Sequence, residues 1–254
     1  MNNEELLKMY AAIKSNPGEI VREAARHRLI NFARYMQPDL TLEPFHVVYY
    51  TLLDKFAHGE IKKMIVQMPP QHGKSEGSSR KLPAFMLGLN PDTKICIGSY
   101  AATIARDFNR DVQRIIDTQK YREIFPKTFL NGSNVVTMAN TYLRNSDVIE
   151  MVGHKGSLRV VGRGGALTSK TVDVMIMDDV YKDYSEGNSP IVRNAAWKWY
   201  TTVVKKRLHN KSQELIVFTR WHEEDLIGKI EKGGEKIIDI KSWDSIKNIP
   251  DGAW

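Results

Sequence analysis

Residues 64–75 decide the fold of this chain and read Met64-Ile65-Val66-Gln67-Met68-Pro69-Pro70-Gln71-His72-Gly73-Lys74-Ser75. They predict a short apolar strand, a tight loop and a helix that begins at Gly-Lys-Ser, which is the layout of a phosphate-binding P-loop. Backbone N–H groups at a helix N-terminus lack partners, and the helix dipole adds positive charge there, so phosphate binds well. We expect Lys74 to contact the β- and γ-phosphates of a nucleotide and the Ser75 hydroxyl to hold Mg²⁺.

The beginning of this loop departs from the usual P-loop pattern. Met68 stands where that pattern has its first glycine, and Pro69 and Pro70 have no N–H group to offer. The phosphate contacts must therefore come from residues 72–75, and the two prolines stiffen the entry to the loop. The alternative interpretation is a Gly-Lys-Ser sequence that occurs by chance in a turn.

The composition indicates the class of protein. A chain of 254 residues can form one large α/β domain, or a core with a small appended subdomain. Its net charge of +7 is compatible with a polyanionic partner. The single cysteine, Cys96, excludes disulfides and cysteine zinc sites within the chain, and its apolar neighbours predict a reduced core residue. The N-terminus lacks a signal-peptide pattern and no apolar run approaches the ~20 residues that span a bilayer, so we expect a soluble intracellular protein without a membrane partner.

Helical periodicity predicts helices over residues 4–14, 18–37, 44–58 and 101–117. In the last of these, Arg106, Arg110 and Arg114 recur at i, i+4 and i+8 on a face separate from the apolar one. Asp107 and Asp111 lie beside them. Two interpretations stay open, namely a stripe that binds DNA and a salt-bridged face exposed to solvent.

A second decisive stretch reads Thr171-Val172-Asp173-Val174-Met175-Ile176-Met177-Asp178-Asp179. Its apolar run predicts a strand that is buried on both faces and ends in a carboxylate pair. Ligands of open α/β sheets bind at the carboxyl ends of the strands, and an aspartate about a hundred residues after a Gly-Lys-Ser loop is the Walker B arrangement. We expect Asp178 to hold Mg²⁺ and Asp179 to orient or deprotonate the attacking water. A capping role is the alternative for Asp179.

The third stretch, residues 214–222, predicts another buried strand that ends at Thr219. Its hydroxyl would lie at the same edge of the sheet and sense the γ-phosphate. The following residues, His222-Glu223-Glu224-Asp225, resemble a metal site, but no second histidine follows at i+4. Acidic residues in a first helical turn explain that pattern better.

The helix predicted from Ser189 onward has aromatic residues and a basic end. Trp197, Trp199 and Tyr200 indicate core packing more than a platform for stacked bases. The Lys-Lys-Arg sequence at 205–207 suits the negative end of the helix dipole and equally suits a DNA phosphate contact, so both interpretations stay open.

In these motifs the sequence resembles the large terminase subunits of tailed double-stranded-DNA bacteriophages. The matching segments, in the family's order across roughly residues 40 to 230, are residues 68–75, Gly165-Ala166-Leu167-Thr168, Asp178-Asp179, Trp197-Lys198-Trp199-Tyr200 and Thr219-Arg220-Trp221-His222. The resemblance implies an α/β fold of the RecA-like P-loop NTPase type, with a mostly parallel sheet, flanking helices, a small helical lid and an additional strand between Walker A and Walker B. It implies ATP and Mg²⁺ as ligands.

The resemblance also implies roles for individual residues. Pro44, Phe45 and His46 would lie near the adenine, and Gln71, His72, Gly73, Lys74 and Ser75 would bind the phosphates. Thr219 would couple hydrolysis to movement. Two departures from the family are notable, since Gln71 stands where an arginine is expected and Asp179 where many relatives have glutamate.

The predicted organisation has three parts. Residues 1–60 form a helical lid segment with the adenine-side motif, 61–232 the ATPase core, and 233–254 a tail or linker. Large terminases usually carry a second, nuclease domain, and the residues after 232 are too few for one, so we expect an isolated ATPase part without nuclease activity.

The function implied by the resemblance is ATP hydrolysis that moves double-stranded viral DNA into a preformed capsid in the host cytoplasm. The implied partners are double-stranded DNA, the portal of the procapsid, the small terminase subunit and further copies of the chain, in a ring when active and as a monomer in isolation. A helicase- or translocase-like DNA-dependent ATPase and a non-hydrolysing nucleotide-regulated DNA-binding adaptor are the alternatives.

Ring ATPases commonly complete each site with a basic residue from a neighbouring subunit. Lys170 precedes Asp178 by eight residues, which separates them by roughly 26 Å along a strand, so Lys170 cannot serve its own site. We expect Lys170 or Arg163 to act in trans, although the loop between Arg163 and the strand leaves open whether Arg163 is comparably remote from its own nucleotide. Arg220, directly after Thr219, is the candidate for a contact within the chain.

Overall fold

The computed structural model describes residues 17–136, 141–167 and 171–233, together with the backbone of 238–241. Seven strands form one sheet in the order β3-β4-β2-β5-β6-β1-β7. All neighbours are parallel except β3 and β4. The strands are β1 Lys63–Gln67, β2 Lys94–Ser99, β3 Val148–Glu150, β4 Ser157–Gly162, β5 Val172–Asp178, β6 Leu208–Phe218 and β7 Ile238–Lys241.

Helices connect these strands and cover both faces of the sheet. They are α1 Pro17–His27, α2 Leu29–Met36, α3 Pro44–Ala57, α4 Leu82–Leu89, α5 Ala102–Asp117, α6 Gln119–Ile124, α7 Tyr184–Asn188, α8 Pro190–Trp199 and α9 Leu226–Lys232. Wider π-helical turns precede α4, at Glu76–Lys81, and follow α8, at Tyr200–Val204, and a 3₁₀ turn at Lys205–Arg207 leads into β6.

The strands β1 and β5 and the last part of β6, residues 215–218, are apolar runs because both of their faces are covered. On β5, Ile176 packs in the core on the side of α5, whereas Met175 packs with Trp199 on the side of α8. The predicted mostly parallel α/β fold is therefore confirmed. Strand β6 lies between β1 and β5 in the sheet and is the additional strand between Walker A and Walker B.

The predicted single helix over 18–37 is wrong, because the chain breaks at Arg28, whose backbone is extended (φ −133°, ψ 124°). The buried carboxylate of Asp54, on α3, accepts a hydrogen bond of 2.7 Å from the Leu29 N–H and lies 3.3 Å from Arg28 Nε. Asp54 thus supplies a partner for the first N–H group of α2, which a helix N-terminus needs. No local sequence pattern indicates this break, because Leu29 and Asp54 are 25 positions apart.

Other sequence predictions are confirmed. The arginines of α5 form a salt-bridged solvent face, in which Arg110 pairs with Asp107 and Arg114 with Asp111, each at 2.7 Å. Cys96 is fully buried, and Trp199 and Tyr200 belong to the core. In the described part of the chain, no helix is both long enough and apolar enough to cross a membrane.

Candidate functional site

The carboxyl ends of three neighbouring strands meet at one edge of the sheet. In the register, Gln67 at the end of β1 is opposite Phe218, and Asp178 at the end of β5 is opposite Val217. The polar residues that follow these strands therefore come together although they are far apart in sequence. A site at this edge is the expected arrangement for an open α/β sheet.

The loop after β1 adopts the tight path that a phosphate-binding loop needs. Gln71 and Gly73 both have left-handed backbones, with φ of 63° and 72°, a conformation that glycine adopts without strain and that few other residues accept. A Cβ atom at Gly73 would lie 3.2 Å from Nε2 of His46, a residue of α3. A residue with a side chain at position 73 would therefore crowd His46. The helix begins at Lys74, as predicted.

The ammonium of Lys74 lies between the ends of β5 and β6. Its Nζ is 3.1 Å from Asp179 Oδ2 and 3.3 Å from Thr219 Oγ1. Lys74 is only 7% exposed, so its contacts with these two side chains replace most of the contacts that its ammonium would make with water. The predicted site residues Lys74, Asp179 and Thr219 are thus brought into direct contact.

The carboxylate of Asp178 is fully buried beside the helix that follows the loop. Ser75 Oγ donates to Asp178 Oδ1 at 3.0 Å, and Ser79 Oγ donates a short hydrogen bond to Oδ2. Burial, and after it the neighbouring Asp179, raises the pKa of Asp178 to about 6, against the lowering effect of the serine hydroxyls. A bound divalent cation would stabilise the ionised form of the Asp178 carboxylate. A carboxylate with a hydroxyl is the oxygen donor set that Mg²⁺ prefers. The residues present therefore fit Mg²⁺.

Asp179 has a backbone and a side chain suited to an exposed role at this edge. Its φ is 44°, a left-handed conformation, and its N–H donates to Val217 O at 3.0 Å. The side chain is 33% exposed and accepts from Thr219 N at 3.4 Å. The capping alternative is wrong, because Asp183 caps the next helix, α7, through a 3.0 Å bond from Glu186 N.

Side chains of helix α3 form hydrogen bonds to the backbone of the loop that follows β1. His46 Nδ1 accepts from Glu43 N at 2.9 Å, so Nε2 carries the proton and donates to His72 O at 3.2 Å. Burial lowers the pKa of His46, which favours this neutral form. The hydroxyl of Tyr49 donates to Lys74 O at 2.6 Å. Because both ring nitrogens of His46 are bonded, its side chain is fixed against the loop backbone.

The basic residues predicted near the site are engaged elsewhere. Arg220 pairs with Asp225 and Glu231, at 3.2 and 3.1 Å, and an ATP contact would require these pairs to open. The position of Arg163, which the sequence left open, is close to the end of β5, since its guanidinium donates to Val180 O at 2.7 Å, directly after Asp179, and pairs with Glu186 at 2.8 Å. This pairing lowers the pKa of Glu186.

Two predicted residues, Thr168 and Lys170, lie outside the described residues. The metal-like run at 222–225 has a structural explanation in Asp225, which caps α9 by accepting from Gly228 N at 3.0 Å. Asp225 is thus the N-cap of the helix and not a member of its first turn. Within the ranges the structure describes, no group of three or more His, Cys, Asp or Glu residues is arranged to hold a metal ion.

Sequence reasoning missed Ser79, Tyr49 and Glu186. Only Ser79 had a local signal, because it follows Ser75 by four positions and therefore shares its helix face. The partners of Tyr49 and Glu186 are 25 and 23 positions away, and nothing in the sequence connects them.

Comparisons with known proteins give one matching family and similar solved structures. Residues 65–252 match the family described as "Terminase large subunit, T4likevirus-type, N-terminal". Among solved structures, the large terminase of bacteriophage HK97 matches with a TM-score of 0.51 and 13% identity, over 84% of this chain and 43% of that one. A mutant ATPase domain of the Thermus phage P74-26 large terminase matches with a TM-score of 0.46 and 15% identity, over 72% of this chain and 67% of that one. No curated protein sequence matches.

Proposed function

The chain belongs to the large terminase subunit family of the T4-like virus type, and from this premise we propose that it hydrolyses ATP with Mg²⁺ and thereby moves double-stranded DNA into a preformed capsid. The observation that carries the proposal is the contact of Lys74 with both Asp179 and Thr219, beside the hydrogen bond from Ser75 to the buried Asp178. The chain spans 43% of the HK97 protein, so the activity of a whole terminase is part of the proposal.

Each residue of this edge has a distinct proposed role. Lys74 leaves Asp179 to contact the β- and γ-phosphates, which frees that carboxylate to orient the attacking water and accept its proton. Ser75 and Asp178 would hold Mg²⁺, which neutralises charge on the phosphates when bound. Thr219 would sense the γ-phosphate through the hydroxyl that now contacts Lys74.

The adenine side is proposed to lie near Pro44, Phe45 and His46, at the beginning of α3. Support comes from the ring of Phe45, whose centroid is 5.7 Å from that of His72 in the loop. Because His46 already bonds the loop backbone, its proposed contribution is to position the loop, and Phe45, which is 8% exposed, would support His46 and His72 from the core.

The proposed partners are double-stranded DNA, the procapsid portal, the small terminase subunit and other copies of the chain, in the cytoplasm of the host. The net charge of +7 suits a polyanion. For the Lys205–Arg207 turn the two interpretations stay open, although Lys205 lies 3.7 Å from Glu214, which engages part of its charge.

An ATPase assay with and without double-stranded DNA, at fixed salt, tests the proposed function. We expect hydrolysis that requires Mg²⁺ and that rises when double-stranded DNA is added, because a packaging motor acts on the duplex. The Lys74→Ala chain is the control for contaminating ATPases. Stimulation by single strands alone would favour the helicase-like alternative, and tight ATP binding without hydrolysis would favour the adaptor.

A further prediction concerns the basic residue proposed to act between subunits. Arg163 is held by Glu186 of its own chain, so we propose Lys170 for this role and expect the isolated monomer to be a slow ATPase. Lys74→Ala and Lys170→Ala chains should each be nearly inactive. Their mixture should regain activity at concentrations where the subunits associate, because the first chain donates Lys170 to the intact site of the second.

Arg163→Ala serves as the comparison in the same mixing experiment. Its loss should affect stability more than turnover, since its partners Glu186 and Val180 lie in its own chain. An Arg163→Ala chain that is inactive alone and regains activity when mixed with Lys74→Ala, while Lys170→Ala does not, would reverse this assignment. The absence of recovery with either partner, despite demonstrated association, would refute a basic residue acting in trans.

A further inference from the structure

Three serine hydroxyls of the helix that follows the loop converge on Asp178. Ser75 Oγ donates to Oδ1 at 3.0 Å, and Ser79 Oγ donates a short bond to Oδ2. Ser78 Oγ donates to Lys74 O at 2.8 Å and also lies 3.2 Å from Ser79 Oγ and 3.5 Å from Oδ2, the longest of the three approaches to Asp178. Each carboxylate oxygen of Asp178 is thus held by a different hydroxyl.

The helix geometry explains why Ser75 and Ser79 share one face. Residues 76–81 form a wider, π-helical turn with i→i+5 hydrogen bonds, so residues four positions apart lie close to one another on its surface. The ring of Tyr49 packs closely against Gly77 of the same helix, since a Cβ atom at Gly77 would lie 2.6 Å from that ring. The helix therefore cannot move away from β5 on that side without displacing Tyr49 from the core.

Burial makes the contact between Ser79 and Asp178 important. Ser78, Ser79 and Asp178 are each 0% exposed, so water does not replace a lost hydroxyl without rearrangement. A buried carboxylate depends on the donors around it, and hydrogen bonds to a charged group are stronger than neutral ones. A donor on Oδ2 also restrains rotation about the Cβ–Cγ bond, which would otherwise exchange the two oxygens.

We propose that Ser79 is a positioning residue that fixes the Asp178 carboxylate so that Oδ1 faces Ser75 and the Mg²⁺ that the two would hold. The inference rests on the proposed function, because it requires Asp178 to be a metal ligand. Ser79 itself touches neither the metal nor the nucleotide in this arrangement. It acts through Asp178 only.

The test measures the Mg²⁺ concentration at which a fluorescent ADP analogue is half-maximally bound. In the Ser79→Ala chain we expect this concentration to rise by about tenfold to 100-fold, the range typical of lost partners of metal ligands. Binding of the analogue without Mg²⁺ should stay unchanged. Because this readout needs no turnover, it separates metal positioning from catalysis.

Thr128→Val is the matched control. It removes a similarly buried hydroxyl, which is 1% exposed and donates to Leu87 O at 3.3 Å, while the bond from Ser79 to Asp178 stays. Its Mg²⁺ requirement should equal that of the wild type. Equal Mg²⁺ requirements in Thr128→Val and Ser79→Ala chains, both raised or both unchanged, would overturn the inference.

Ser79→Cys covers the case in which Ser79→Ala does not fold, as judged by thermal unfolding. The thiol fills the space but is a weak donor, so the Mg²⁺ requirement should rise in the same direction by a smaller factor. A folded Ser79→Cys chain with the wild-type Mg²⁺ requirement would overturn this inference and leave the proposed function standing. A wild-type chain that binds no ADP analogue, with or without Mg²⁺, would overturn the proposed function and this inference with it.

Discussion

Replacing Lys74 with alanine should abolish ATP hydrolysis, with a loss of at least about 10²–10³-fold. The ammonium is 7% exposed and would meet the β- and γ-phosphates in a partly desolvated place, where one charge stabilises the transition state far more than it would in water. The alanine chain also loses the contacts to Asp179 and Thr219. Phosphate release at saturating ATP, together with a nucleotide-binding titration, measures the effect.

Lys81→Ala is a suitable control for this variant. Lys81 is also a buried lysine of the helical segment after the loop, but it pairs with Glu76 at 2.8 Å and with Gln37 at 3.2 Å, away from Asp178 and Asp179. Its loss should lower the thermal stability and leave hydrolysis in the folded fraction near the wild-type rate. A folded Lys74→Ala chain that hydrolyses ATP at the wild-type rate would show that the P-loop assignment is incorrect.

The second large effect is expected for Asp179→Asn. Hydrolysis should fall by roughly 10²-fold or more, because asparagine cannot accept the proton of the attacking water. Nucleotide affinity should remain nearly intact, since the amide has the same shape and its oxygen can still accept the bond from Thr219 N that Asp179 Oδ1 now accepts at 3.4 Å. Single-turnover rates, combined with binding of an ATP analogue, separate the two quantities.

Asp178→Ala provides the contrast within the same carboxylate pair. Removing this buried side chain should raise the Mg²⁺ requirement, because the oxygen that faces Ser75 at 3.0 Å is lost. The two aspartates are therefore expected to differ in which measurement changes, metal dependence for one and turnover for the other. Normal turnover by the Asp179→Asn chain would remove Asp179 from the proposed chemistry.

Much of the fold follows from local sequence patterns. The apolar runs of β1, β5 and β6 predicted buried parallel strands, and the polar residues that end two of them, Asp178 and Thr219, predicted which edge of the sheet carries the site. Such patterns are reliable here because the period of a buried strand or an amphipathic helix is set by residues that are adjacent in sequence. The strand at 172–178 and the helix at 102–117 follow this rule.

The sequence alone therefore determined the fold class, the loop at 68–75 and the set of residues at the carboxyl edge. Their pairing depends on the tertiary structure, which brings together Ser79 and Asp178 across 99 positions, Lys74 and Thr219 across 145, and Arg163 and Glu186 across 23. It also placed the break at Arg28, which depends on Asp54. These contacts depend on the order and register of the strands, and no local periodicity specifies which side chains then lie within hydrogen-bonding distance of one another.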